Sequence, residues 1–300
     1  QFIERFFRDK SRLNRGQLFV VLFSIAIPLA AFGYAGHKSN GFYDFKYNML
    51  SAEHQKNFVD IEKVKNDRNQ LWNSILKDKA KTFKFKNLKI LVIGDSKAED
   101  LYVSLLQEGR FEAEFEFVYM RWDDLCMLPL NDITETSAVC QTELNDIDSS
   151  MLTKSADLII LSNTWQYSSN NNVEKTIRYL AKDKPLFVLS TSNFNDMTSL
   201  MYKATTKDIK NLNSFIFKNI RSESQKQTND LKKRISNIHG VRYIEKLDFF
   251  CEWKIEECSL MNPLLIWDSG HVTIEGAKVL GSKFYDRYAK TIISDIDNFQ

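Results

Sequence analysis

From residue 88 onward, short apolar runs alternate with stretches of helical periodicity, and this alternation restricts the fold more than any other feature of the chain. Candidate strands fall at 89–93, 114–120, 157–161, 185–190 and 241–245. Candidate helices fall at 98–108, 173–183, 207–219, 222–237 and 273–294. The first, third and fourth runs are almost continuously apolar, as strands are when both faces of a parallel sheet are covered. The pattern therefore predicts an α/β fold, a three-layer α/β/α sandwich with a parallel sheet and right-handed crossovers. Such sheets place their sites outside the carboxyl ends of the strands. No internal repeat or low-complexity tract interrupts the chain.

The N-terminal part is of another kind. Residues 16–37 contain no Asp, Glu, Lys or Arg, and a run of about 20 mostly apolar residues matches the hydrocarbon thickness of a bilayer. Pro28 kinks such a helix without forbidding it. A buried soluble helix and a cleaved signal peptide are the alternatives, but no clear Ala-x-Ala cleavage site follows. Arg5, Arg8, Lys10, Arg12 and Arg15 precede the run, and only Lys38 follows it closely. The basic side stays in the cytoplasm and the remainder lies outside it. The expected organisation is a cytoplasmic basic tail at 1–15, a transmembrane helix at 16–37, a linker at 38–86 and an α/β domain at 87–300. Within the linker, Phe58, Ile61, Val64, Leu71, Trp72 and Ile75 recur at near-helical spacing over a charged stretch, which predicts an amphipathic helix on the main domain or on the membrane surface. The chain opens on Gln1, which reads as a fragment or a processed product.

With 43% hydrophobic residues the chain can bury one sizeable core. A net charge of +2, with no basic stripe interleaved by aromatics, argues against nucleic acid as a partner. The four cysteines fall as two close pairs, Cys126 with Cys140 and Cys251 with Cys258. Four cysteines allow three connectivities; sequential pairing in an oxidising compartment is the simplest, and free thiols are the alternative. No Cys-x-x-Cys spacing occurs and the histidines are scattered, so no metal site is expected.

Two segments carry reactive groups. Gly94-Asp95-Ser96 follows the first strand and puts a serine at a helix start, where outward N–H groups can stabilise an oxyanion. Taken alone it is equally an ordinary N-cap. Asp268 and His271 lie three residues apart near the C-terminus, a spacing that lets the carboxylate reach the ring. Ser96, His271 and Asp268 can therefore serve as nucleophile, base and orienting acid, unless the pair is a solvated surface turn. Asn163 ends the third strand and can donate its amide to the same oxyanion as the Ser96 N–H, or simply sit in a turn. Trp165 and Tyr167 after that strand, and Arg121 and Trp122 after the second, are candidates for contact with a sugar or for packing. The polar run 168–172 either lines a site or is a plain loop.

Together these segments resemble the SGNH hydrolase superfamily. Gly94-Asp95-Ser96 is similar to its first block, Asn163 to its third, and Asp268-Ser269-Gly270-His271 to its last. Phe2-Ile3-Glu4-Arg5-Phe6-Phe7-Arg8, with the basic stretch and the apolar run behind it, resembles the end of a membrane acyltransferase-3 domain, to which an SGNH domain is often fused. The segment from Leu264 to Thr273, with Gly276 and Ala277, is similar to the closing motif of such fused domains. The resemblance implies an O-acyltransferase of the bacterial inner membrane that acetylates a surface polysaccharide, such as lipopolysaccharide O-antigen, with its SGNH domain in the periplasm. Acetyl-CoA would be the acyl source through the membrane domain, no cofactor would be bound, and the acceptor would be a polysaccharide or a lipid-linked glycan. An acetyl-esterase and a non-catalytic glycan-positioning domain are the competing readings. Three departures stand out. The second-block glycine has no counterpart except Gly109. Leu161 and Thr164 occupy the usual glycine and aspartate positions of the third block. Lys97 follows the serine where fused domains often carry histidine.

Overall fold

The computed structural model describes residues 15–39, 61–77, 82–84, 87–122, 150–165, 171–191, 193–261 and 263–299, with positions 48, 49, 52, 55 and 147. It divides into two compact units, 1–58 and 59–300.

The first unit contains α1 (Arg15–Lys38). Its 24 residues span about 36 Å at 1.5 Å per residue. Phe19–Lys38 has a mean hydropathy of 2.0 and none of its most apolar stretch is buried. It is one helix long and apolar enough to cross a membrane. Pro28 lies inside it.

In the second unit α2 (Ile61–Lys77) precedes a five-stranded sheet. The strands are β1 (Leu88–Gly94), β2 (Phe115–Arg121), β3 (Leu158–Ser162), β4 (Leu186–Leu189) and β5 (Val241–Ile244). All pair in parallel, in the order β2-β1-β3-β4-β5. Between them run α3 (Ser96–Gln107), α4 (Met151–Ser155), α5 (Asn171–Leu180), the short α6 (Met197–Lys203), α7 (Thr206–Lys210) and α8 (Leu212–Lys218), and α9 (Ser222–Ile235). The small antiparallel hairpin β6 (Cys251–Glu252) and β7 (Glu257–Cys258) follows, and α10 (Ile274–Phe299) closes the chain. The architecture is thus the α/β one with a central parallel sheet. The short helices α4 and α6 and the β6–β7 hairpin go beyond the expected elements, and the helix expected over 207–219 breaks at Asn211, whose ψ of 45° departs from helical backbone, so α7 and α8 are separate.

Because strand side chains alternate between faces, β1 supplies both layers of the core. Ile90 and Val92 pack with α2, α3 and α10, among Trp72, Leu101, Leu280 and Phe284. Leu91 and Ile93 pack with α5 and α9, among Val173, Ile177, Leu231 and Ile235. The partner of α2 is accordingly the domain: Trp72 is 2% exposed. At Gly276 a Cβ would lie 1.9 Å from the Leu265 carbonyl oxygen, so only glycine lets the first turn of α10 approach that backbone. Thr273 caps this helix, its Oγ1 accepting the Gly276 N–H at 2.9 Å.

Cys251 and Cys258 form a disulfide across β6 and β7. Closing so short a loop stabilises by roughly 2–3 kcal/mol in the chain-entropy account. Cys126 and Cys140 lie outside the described residues.

Candidate active site

The strand order reverses between β1 and β3, and at such a switch point the loops leave a crevice above the carboxyl ends. β1 ends at Gly94, whose φ of +148° and whose position against β3 exclude a side chain: a Cβ would lie 1.9 Å from the Ser162 carbonyl oxygen. The next residue, Asp95, is the N-cap of α3 and accepts the Lys97 N–H with Oδ1 at 2.8 Å. Its Oδ2 accepts the Thr164 N–H at 2.9 Å, and its own N–H donates to Asn163 Oδ1 at 2.6 Å. Asp95 therefore ties the end of β1 to the end of β3. The cap being Asp95, Ser96 is left free for another use in the first turn.

That use is visible in the C-terminal loop. His271 Nε2 lies 2.9 Å from Ser96 Oγ, and His271 Nδ1 lies 2.6 Å from Asp268 Oδ2. The other oxygen of Asp268 accepts the N–H groups of Gly270 and His271, at 2.8 and 2.7 Å. Burial alone would push the Asp268 carboxyl up, but the hydrogen bond and charge of the His271 ring, with those two N–H groups, hold it well below the usual carboxylate range. The resulting stabilisation is complete above about pH 4, and is lost only as the pH falls through the lower folded value. His271 is half-buried and its ring stacks on Trp267, with centroids 5.8 Å apart. The arrangement is that of a serine activated by an imidazole whose orientation a carboxylate fixes.

Asn163 is fully buried; its Oδ1 accepts the Asp95 N–H, and among the described residues its Nδ2 has no hydrogen-bond partner. An unpaired buried amide is costly, about 1–3 kcal/mol. Here it leaves an unpaired donor at the end of β3, next to Asp95 and so one residue from Ser96. The Ser96 N–H belongs to the first-turn donors that a helix cannot satisfy internally. Gly109 lies in the 3-10 turn Gly109–Phe111 beyond the far end of α3, about 18 Å along the helix from Ser96, and cannot join them.

The expected sugar contacts fare differently. Trp165 is 1% exposed, with its indole N–H on the Leu189 carbonyl at 2.7 Å, and Trp122 is likewise 1% exposed. Both are core residues, packed in the same layer as Leu91 and Ile93. Arg121 remains exposed, 3.5 Å from Glu99. Tyr167 and most of the 168–172 run lie outside the described residues.

Three groups not anticipated from the sequence surround the loop. Arg68 of α2 donates from Nε to the Val272 carbonyl at 3.0 Å and forms a buried ion pair with Asp100 of α3. Asp100 in turn accepts the Val272 N–H at 3.2 Å. Lys246, 1% exposed, reaches the Gly270 carbonyl at 3.3 Å. In the sequence these three are isolated charges in amphipathic or loop segments, and only the four-residue spacing of Asp100 from Ser96 marks any of them.

Burial pushes the Lys246 ammonium down to about 8, with Lys97 adding to the effect and Asp100, Asp95 and Asp268 opposing it. An unfolded lysine titrates near 10.4. Between those values the unfolded chain holds a proton that the folded chain has released, so stability rises with pH across that window. Below it the cost of the buried charge is constant. Lys246→Met is expected to raise stability at neutral pH by about 1–3 kcal/mol and to remove this part of the slope. Chemical denaturation of both proteins at neutral pH and near pH 10 measures the difference.

Residues 64–286 match the model of the SGNH domain fused to AT3 domains. The chain belongs to that family. No curated protein sequence matches it. Among solved structures, the periplasmic domain of a lipopolysaccharide acetyltransferase from Salmonella ser. Paratyphi A is similar, with a TM-score of 0.53 at 14% identity, over 83% of this chain and 99% of that one. An acetyl-xylooligosaccharide esterase from Geobacillus aligns over 68% of this chain and 95% of its own, at 13% identity and a TM-score of 0.39. The SGNH fold is one that supports acyl-transfer or esterase chemistry.

Proposed function

We propose that the second unit is the periplasmic SGNH domain of an acyltransferase-3 protein of the bacterial inner membrane, and that it O-acetylates a surface polysaccharide such as lipopolysaccharide O-antigen. The observation that carries this reading is the continuous contact from Asp268 through His271 to Ser96 at the sheet's switch point. Family membership supports it. So does α1, which would anchor the chain with the basic tail in the cytoplasm.

In this reading Ser96 Oγ attacks the acyl carbonyl while His271 Nε2 takes its proton. The carbonyl oxygen becomes an oxyanion facing the Ser96 N–H and Asn163 Nδ2. Collapse breaks the bond to the leaving group, which receives the proton from His271, and leaves an acyl-Ser96 ester. A sugar hydroxyl then attacks that ester, gives its proton to His271, and departs acylated as Ser96 is reprotonated. Asp268 stays ionised throughout and keeps Nδ1 protonated. Acetyl-CoA is the acyl source, delivered through the remainder of the membrane domain, and the acceptor is a polysaccharide or a lipid-linked glycan.

The test is the O-acetyl content of surface polysaccharide in cells that express the native chain within its full-length protein, compared with Ser96→Ala. Loss of O-acetyl groups in the variant is the expected result. A gain would make the domain an esterase, and no change would overturn both catalytic readings in favour of a glycan-positioning domain.

A further inference from the structure

At the carboxyl ends of β4 and β5, two to three strands across from Ser96, an open cleft of about 420 Å³ lies apart from the triad. At roughly 4.8 Å per strand the separation is about 10–14 Å. One wall is α9, which presents Gln225, Thr228, Asn229 and Lys232, the spacing of a single helical face. The facing wall is Asp248 and Trp253, the latter in the turn between β6 and β7 that the Cys251–Cys258 disulfide closes.

Trp253 is 43% exposed yet held in place. Its Nε1 donates to Asp248 Oδ1 at 2.7 Å, and Phe217 packs edge-on against the ring at 5.3 Å between centroids. A large aromatic fixed by its edge and left open to solvent is a platform rather than a core residue. The α9 side of the cleft carries the side-chain amides of Gln225, half-buried, and Asn229, exposed. Each amide offers both donors and acceptors. A flat apolar surface facing amides and carboxylates suits a pyranose ring, whose C–H face is apolar and whose rim carries hydroxyls. Glu245 and Asp248 outnumber Lys232 on the same cleft and oppose an anion such as a phosphate, and the polar lining opposes a lipid chain.

The cleft is linked by hydrogen bonds to the strand end that carries Asn163. Thr191, on its floor, donates from Oγ1 to the Asn163 carbonyl at 2.6 Å, and its own carbonyl accepts the Thr228 hydroxyl at 3.1 Å. The α9 wall thus shares a strand end with the residue beside Ser96.

We infer that this cleft is a sugar-binding subsite that holds the acceptor glycan with one ring on Trp253, a short distance along the chain from the hydroxyl presented to Ser96. This rests on the reading of the domain as a glycan acyltransferase.

The test uses the purified full chain and de-O-acetylated surface polysaccharide released from the cells that produce it. Binding of that polysaccharide is measured for the native chain, Trp253→Ala, Trp253→Phe, Asn229→Ala and Ser96→Ala, with p-nitrophenyl acetate hydrolysis as the control. Trp253→Ala is expected to weaken binding about tenfold or more, Asn229→Ala to weaken it less, and Trp253→Phe to restore most of it, all with unchanged hydrolysis of the small ester. Ser96→Ala is expected to bind as the native chain does. Equal binding by native and Trp253→Ala chains, or none by the native chain, would overturn the subsite. Binding that depends on Trp253 in a protein whose Ser96→Ala form still acetylates glycan would keep the subsite and overturn the catalytic reading.

Discussion

Converting Ser96 to alanine is expected to lower the turnover of an acetyl ester by about 10⁶-fold, and converting Asp268 to asparagine by about 10⁴-fold. The difference follows from what each group does. Ser96 forms the covalent bond, so without it only the oxyanion donors and binding remain. Asp268 forms no bond to substrate, but its two oxygens accept from His271 Nδ1 and from the N–H groups of Gly270 and His271. Asparagine has one acceptor oxygen to offer. If that oxygen keeps the two backbone N–H groups, the amide N–H₂ faces Nδ1, and the ring must protonate at Nε2, where it can no longer accept from Ser96. If the amide flips, the ring is served and the loop loses its two anchors. The double variant is expected to be no slower than Ser96→Ala alone, because the three residues act as a unit. Rates of p-nitrophenyl acetate hydrolysis by the purified chains measure all three. A thermal midpoint unchanged in Ser96→Ala would show that the loss is chemical. A Ser96→Ala chain that retains more than about one hundredth of native activity would remove Ser96 from the mechanism.

The strands could be read from the sequence because burial on both faces of a parallel sheet leaves a nearly pure apolar run, as at Leu158–Ser162. The reactive residues could be read because glycine at a strand end and an acid three residues before a histidine are local patterns. What no local pattern reports is which distant residues meet. Trp165 and Trp122 follow strands, where a sugar contact and a core position look alike in sequence, and only the path of the chain buries them. Trp253 sits in a charged turn without a strand run beside it, so nothing in its neighbourhood distinguishes it from a surface loop. The break between α7 and α8 falls within apolar periodicity that continues across it, so the sequence reads as one helix. Arg68 is the strongest case. In a helix rich in Lys and Asn it reads as one more solvated charge, and its partners, Asp100 and Val272, are 32 and 204 residues away.

Those partners make Arg68 the source of the second large effect. Its guanidinium lies 4.4 Å over the Trp72 ring and grips the carbonyl of Val272, while Asp100 grips the N–H of the same residue and also accepts the Trp72 indole N–H at 3.2 Å. The residue immediately after His271 is thus held on both sides by a buried pair whose side chains are 8% and 0% exposed. Removing one partner leaves the other charge buried and alone, so Asp100→Ala is expected to cost about 3–5 kcal/mol of stability. Arg68→Lys is expected to fail as a replacement, since a point charge cannot serve the carboxylate and the carbonyl at once. Stability alone does not separate a packing role from a positioning one. The pair Arg68→Met with Asp100→Leu does, because apolar residues of similar volume can restore stability when a buried ion pair is replaced. Neither can hold the Val272 peptide, and a displacement of about 1 Å at His271 costs on the order of 10²-fold in rate. The expected result is a double variant near native in its thermal midpoint, with kcat for p-nitrophenyl acetate lowered about 10²-fold and KM little changed. A double variant that is both stable and fully active would show that α2 merely covers the core. The expected result would mean that the helix entering the domain also sets the histidine against the serine.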